Sequence, residues 1–151
     1  MIKQIAHIGF TVHDLDKTIE FYKTVLQLHF VGEMRMAGEA TDKLFQRRNA
    51  ACRVAYFTCD PTAHTSLIEL IEFADIKVPR IPTSLFNNSI SELCFTVENI
   101  DEFYRRLLRY GVEVLSAPQY FDATEYDMGK SKAIYFRDPN GIILEATETL
   151  E

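Results

Sequence analysis

The chain has 151 residues, 47% apolar and 25% charged, with a net charge of −6, a length that suits one domain or two fused small modules around a real core. No stretch approaches the roughly 20 apolar residues of a membrane span, and the start "MIKQIAHIGF" lacks the long apolar core of a signal peptide. The acidic balance argues against nucleic acid or an anionic membrane as main partner, so a cytoplasmic protein is expected.

In chain order, "QIAHIGFTV" is rich in β-formers and predicts a strand. Asp14 is the N-cap expected for a helix over "LDKTIEFYKTVLQL", where Ile19, Tyr22 and Leu26 fall at helical spacing. Three strand-like segments follow, near "LHFVGEMRM", "ACRVAYFTC" and "TSLIELIEF". The stretch "MAGEATDKLFQRRN" reads as an inserted loop facing substrate, and "DIKVPRIPTSLFNN", polar and punctuated by proline, as a linker.

The second half opens with a strand in "SELCFTV". Asn99 with Glu102 three residues later resembles a capping box, and Ile100, Phe103, Tyr104, Leu107 and Leu108 form the stripe expected to be buried. Gly111 ends that helix. Strands near "VEVLSA", "KAIYFRD" and "IILEATE" complete the chain, the last two joined by "DPNG", a hairpin signal. Cys52, Cys59 and Cys94 make an odd count without CxxC spacing, so small buried thiols are expected rather than a disulfide framework.

A βαβββ module is therefore written twice, over 1–74 and 89–151, with a linker at 75–88. "IAHIGFTVHDLD" at 5–16 and "ISELCFTVENID" at 90–101 are two copies of one line, in which Glu92 stands where the first copy has His7. Side chains alternate across a strand, so His7 shares a face with Gly9 and Thr11, and Glu92 shares one with Cys94 and Thr96. Glu69 lies on the face opposite Glu72, and Glu145 opposite Leu144 and Ala146. The interval from His7 to Glu69 is longer than that from Glu92 to Glu145, the excess falling in the inserted loop.

"HIGFTVHDLDKTIEFYKTVL", "LCFTVENID" and "YFRDPNGIILE" together resemble the vicinal oxygen chelate superfamily, which holds glyoxalase I, methylmalonyl-CoA epimerase, extradiol dioxygenases and bleomycin and fosfomycin resistance proteins. The resemblance implies an α+β fold, two tandem βαβββ modules forming an open, cup-shaped mixed β-sheet, and a homodimer. It also implies a divalent metal ion (Zn, Ni, Mn, Mg or Fe) held by His7, Glu69, Glu92 and Glu145. Imidazole nitrogen and carboxylate oxygen both bind such ions, and open positions let two substrate oxygens chelate. The implied reaction is that of a glyoxalase-type lyase or isomerase on a small α-oxygenated carbonyl compound, with Glu145 or Glu69 as the catalytic proton carrier. An epimerase on an acyl thioester and a non-enzymatic ligand-binding or drug-binding module are the alternatives.

Two departures bear on that expectation. Glu92 stands where glyoxalase and epimerase relatives carry His, which gives a harder, more anionic donor set suited to Mg or Mn, or else frees a carboxylate for acid–base work. Glutathione-dependent glyoxalases carry Arg and Asn four residues after the first and second ligands, where this chain has Thr11 and Phe73. Extradiol chemistry, which needs two His and one carboxylate, lacks its second His.

Each residue also has a plainer reading. His7 can be a structural histidine, Glu145 an exposed sheet residue, and Glu92 a surface or salt-bridged one. Glu69 sits among apolar neighbours, where an unpaired carboxylate is costly, so a metal or a cation is expected beside it. His13, His29 and His64 are expected at the surface, and Arg47 and Arg48 as a solvated pair or a clamp for an anion.

Overall fold

The computed structural model describes residues 1–62 and 67–150, without the side chain of Leu67. It divides into two compact units, Met1–Arg80 and Ile81–Glu151. The first contains β1 (His7–Thr11), α1 (Leu15–Thr24), β2 (His29–Met36), α2 (Glu39–Phe45), β3 (Cys52–Thr58) and β4 (Leu67–Phe73). The second contains β5 (Leu93–Thr96), α3 (Ile100–Arg109), β6 (Gln119–Asp122), β7 (Lys130–Arg137) and β8 (Ile143–Leu150). The sheets run β1-β4-β3-β2 and β5-β8-β7-β6, and in each the first pair is parallel and the others antiparallel. The chain is thus α+β, a βαβββ arrangement made twice.

The same devices hold each helix to its sheet. The Asp14 side chain accepts the Lys17 N–H at 3.0 Å and the Asn99 side chain the Glu102 N–H at 2.9 Å, so both expected N-caps form. A glutamate of the fourth strand then caps the helix from below: Glu72 accepts the Leu15 N–H at 3.2 Å and Glu148 the Ile100 N–H at 2.9 Å. Each satisfies an orphan donor and places negative charge at the positive end of the helix. The third strand adds an ion pair, Arg53 to Asp16 and Lys132 to Asp101, each at 2.7 Å.

Beneath these contacts lie the cores. Leu15, Tyr22 and Val25 of the first helix region pack on Phe57 and Leu70, with the Tyr22 and Phe57 rings 5.6 Å apart. In the second, Ile100 and Leu107 of α3 are buried along with Ile134, Phe136, Leu144 and Ala146 of the sheet. Each fully buried Leu, Ile or Phe contributes about 1.5–3 kcal/mol.

Four sequence expectations change. The inserted stretch is not an open loop: it forms α2, held because the Asp42 carboxylate accepts the N–H groups of Asn49 and Ala50 at 2.9 and 2.8 Å and because Phe45 packs edge-on against Phe73. "VEVLSA" is not a strand but a single bridge, Val114 to Phe136. The register slips between that bridge and the Gln119–Ala133 pair, with Pro118, which has no N–H for a ladder, in between. Leu108 is 48% exposed, because the buried stripe of α3 runs through Ile100 and Leu107 and turns it aside. All three cysteines are free, but only Cys52 is buried.

A bulge at Phe30/Gly32 interrupts the β2–β3 ladder: Phe30 pairs with Phe57 and Gly32 with Tyr56, leaving Val31 over. The β7–β8 hairpin turns at Gly141, whose φ of 84° lies in the left-handed region that glycine adopts at no steric cost. The turn closes around the Asp138 carboxylate, which accepts the N–H groups of Asn140 and Ile142. Among the described residues, no helix is long and apolar enough to cross a membrane.

Candidate functional site

In the first module the decisive contact joins two parallel neighbours. Strand β1 begins at His7 and runs beside β4, so the imidazole and Glu69 fall on one face, and His7 Nε2 stands 3.1 Å from Glu69 Oε2. The two are unequally exposed, the His7 side chain at 49% and that of Glu69 at 11%. Glu69 is therefore a nearly buried acceptor behind a half-exposed imidazole. Tyr56 lies directly across from Glu69 on β3, and its ring meets that of His7 edge-on at 6.5 Å. Burial first, and then the charge and hydrogen bonding of Glu69, push the Tyr56 phenol up, and burial and Glu69 do the same to the Cys52 thiol.

The second module repeats the frame with other side chains. Cys94 of β5 pairs in register with Glu145 of β8, as Gly9 pairs with Glu69, and Tyr135 of β7 pairs with Glu145, as Tyr56 pairs with Glu69. Glu92, immediately before β5, is half-buried on the same parity as Cys94. Although Cys94 is exposed as a residue, partial loss of water around its sulfur, which disfavours the thiolate, above all pushes the thiol up to about 11. Glu145 and Glu92 act in the same direction, against the Thr147 hydroxyl 3.7 Å away. Burial, then Glu145 and Glu92, also raise Tyr135. Both carboxylates are thus felt by one thiol and one phenol.

The structure brings His7 and Glu69 together, and sets Glu92 and Glu145 around Cys94 and Tyr135. Among the described residues, no group of three or more His, Cys, Asp and Glu side chains is gathered closely enough to hold a metal ion. The donor chemistry nonetheless fits a cation. A nearly buried carboxylate faces an imidazole nitrogen, and among the described residues no Lys or Arg forms an ion pair with Glu69, Glu92 or Glu145.

The remaining candidates lie elsewhere. His13 is half-buried ahead of α1, His29 is exposed at the start of β2, and His64 falls outside the described residues. Arg47 and Arg48 are exposed beyond α2. A cavity of about 600 Å³ is bordered by His13, Glu72, Lys77 and Arg80 and does not include His7 or Glu69. Sequence reasoning took Cys94 as a small buried thiol and gave Tyr56 and Tyr135 no role at the site. The signal that singles out the tyrosines is their place in "AYF" and "IYF", at matching points of the two third strands.

Comparison with known proteins agrees with this fold. Residues 4–146 match the family described as the Glyoxalase/Bleomycin resistance protein/Dioxygenase superfamily. The metallothiol transferase FosB of Shouchella clausii is 31% identical over 147 residues, covering 96% of this chain and 80% of that protein. A glyoxalase family protein from Bacillus cereus superposes with a TM-score of 0.84 at 23% identity, covering 100% of this chain and 97% of that one. The fosfomycin resistance protein FosX of Listeria monocytogenes does so with a TM-score of 0.63 at 18% identity, covering 99% and 96%.

Proposed function

This chain belongs to the Glyoxalase/Bleomycin resistance protein/Dioxygenase superfamily, and from that premise we propose a metal-dependent enzyme that adds a thiol to a small substrate held by two of its oxygens. The metal half of the reading rests on the His7–Glu69 contact. The thiol half is supported by the likeness, over nearly the whole chain, to a protein named metallothiol transferase.

His7, Glu69, Glu92 and Glu145 would hold the ion. A divalent ion there supplies Lewis acidity toward the substrate oxygens. One imidazole and three carboxylates leave such a site net negative, which favours Mg or Mn over softer ions and repels a free thiolate. The thiol therefore gives up its proton as it attacks. Glu145 takes the S–H proton while the S–C bond forms and a C–O bond of the electrophile opens, then returns it to the oxygen released. Tyr135, paired with Glu145 across the ladder, would hold that oxygen. A homodimer and a cytoplasmic location belong to the same reading.

A second reading, the glyoxalase-type lyase or isomerase, is favoured by carboxylates on the corresponding faces of both modules, since Glu145 or Glu69 would take a proton beside a chelated carbonyl. Glutathione is not the expected partner in either, because Thr11 and Phe73 stand at the gripping positions and Phe73 is packed against Phe45.

The test is elemental analysis of purified protein, followed by product assays with and without chelator. Manganese-loaded protein is given the epoxide fosfomycin, or methylglyoxal, each with cysteine or glutathione. Chelator-sensitive thioether from the epoxide supports thiol addition, and turnover of methylglyoxal alone supports the second reading. Protein that takes up no stoichiometric metal overturns both.

A further inference from the structure

The stretch "DIKVPR" over 75–80, which follows β4, takes no part in the chelating site. Its side chains alternate: Ile76 and Val78 are half-buried, whereas Lys77 and Arg80 are exposed. Ile76 and Val78, together with Val12 and Phe73, form an apolar wall of the cavity of about 600 Å³, and Lys77 and Arg80 border the same space. All of these residues belong to the first unit. The volume falls within the roughly 300–1,000 Å³ of pockets that hold small organic molecules.

Charge around this cavity is uneven. Glu72, the carboxylate that borders it, is already committed: one oxygen accepts the Leu15 N–H at 3.2 Å and the other meets Arg53 at 3.4 Å. Among the described residues, no carboxylate forms an ion pair with Lys77 or Arg80. On a chain of net charge −6, two uncommitted cations beside an apolar wall leave a local positive excess. Pro79 stands between them with its φ fixed by the ring, which limits how far the backbone can carry them apart.

We propose that this cavity binds a small organic anion, a carboxylate or sulfonate group on an apolar body, at a site separate from His7 and Glu69. Lys77 meets the acid group as a point charge, and the planar guanidinium of Arg80 can hold two of its oxygens at once. The body lies against Val12, Phe73, Ile76 and Val78, where its burial adds affinity that an inorganic anion would not gain. The proposal stands independently of the metal reading, since neither His7 nor Glu69 borders the cavity.

The probe is 1-anilinonaphthalene-8-sulfonate, titrated by fluorescence into the folded protein beside its uncharged parent, N-phenyl-1-naphthylamine. The sulfonate should bind once per chain and more tightly than the parent. Lys77→Gln and Arg80→Gln should each weaken the sulfonate about twofold to fivefold, the range of a partly screened ion pair, and leave the parent's affinity unaltered. Val78→Asp should abolish binding of the sulfonate. All three positions lie outside every helix and strand, so circular dichroism of the variants should match wild type. Loading the protein with manganese should not displace the probe. Failure of the sulfonate to bind, equal affinity for the two probes, or sulfonate binding that survives Lys77→Gln and Arg80→Gln combined overturns the anion site. Displacement by manganese puts the probe at the chelating end and overturns it too.

Discussion

Glu69 and Glu72, three residues apart on β4, serve opposite faces of one sheet. The first meets His7 Nε2 at 3.1 Å, and the second accepts the Leu15 N–H at 3.2 Å and pairs with Arg53. The odd spacing within a strand is what divides them: one carboxylate is left for a ligand and the other is consumed in holding a helix. β8 repeats the division with Glu145 and Glu148.

Glu145→Gln keeps the shape of the side chain and removes its ability to take a proton. Turnover should fall by about a hundredfold or more, while the circular dichroism spectrum and thermal midpoint stay at wild-type values. Unchanged activity in this variant would refute the role given to Glu145.

Tyr56→Phe removes the hydroxyl beside Glu69 and little else. On the metal reading, the affinity for manganese should drop about tenfold, as expected when a ligand loses its supporting hydrogen bond. Metal titration of the apoprotein measures it, and an affinity equal to wild type would show that Tyr56 does not orient Glu69.

Removing the two helix-capping glutamates should have unequal effects. Glu148→Ala loses one charged cap on α3. Losses of that kind cost about 1 kcal/mol. Glu72→Ala loses the cap on α1 and also a partner of Arg53, so urea unfolding should place it below Glu148→Ala. The reverse order would mean that the Arg53 pair contributes nothing.

Acid should weaken the first module through Arg53. Its guanidinium, by hydrogen bond first and charge second, holds Asp16 below the usual carboxylate range, and by hydrogen bond does the same to Glu33. Folded-state values below the unfolded ones mean that the pair stabilises fully above the unfolded pKa, about 4, and that this stability is lost as pH falls through the lowered folded values. The thermal midpoint should therefore hold from pH 7 to about 5 and decline below about 4. Arg53→Gln should flatten that decline, and an unaltered acid limb would remove Arg53 from the explanation.

Much of this was legible because the signals are local. Asp14 and Asn99 cap helices by their own chemistry, strand parity assigns faces without any coordinates, and Asn140-Gly141 turns a chain wherever it occurs. What escaped depends on partners distant in sequence. The insertion becomes a helix because Phe45 finds Phe73 and Asp42 finds Asn49 and Ala50. Tyr56 and Tyr135 read as ordinary strand residues until the ladder sets each opposite a glutamate. The break after Val114 is set by a register slip around Pro118 that no count of β-formers reveals.

The bulge in β2 carries a consequence for how such a surface can evolve. Because Val31 is left over, Phe30 and Gly32, of like parity in the sequence, fall on opposite faces, and beyond them Met34 looks toward Val54 while Glu33 reaches Arg53 on the reverse. Deleting Val31 would restore an unbroken ladder and leave Met34 across from Val54 and Glu33 across from Ala55. A single-codon deletion at the bulge would thus straighten the strand and spare the polarity of both faces, whereas the same deletion further along would invert it.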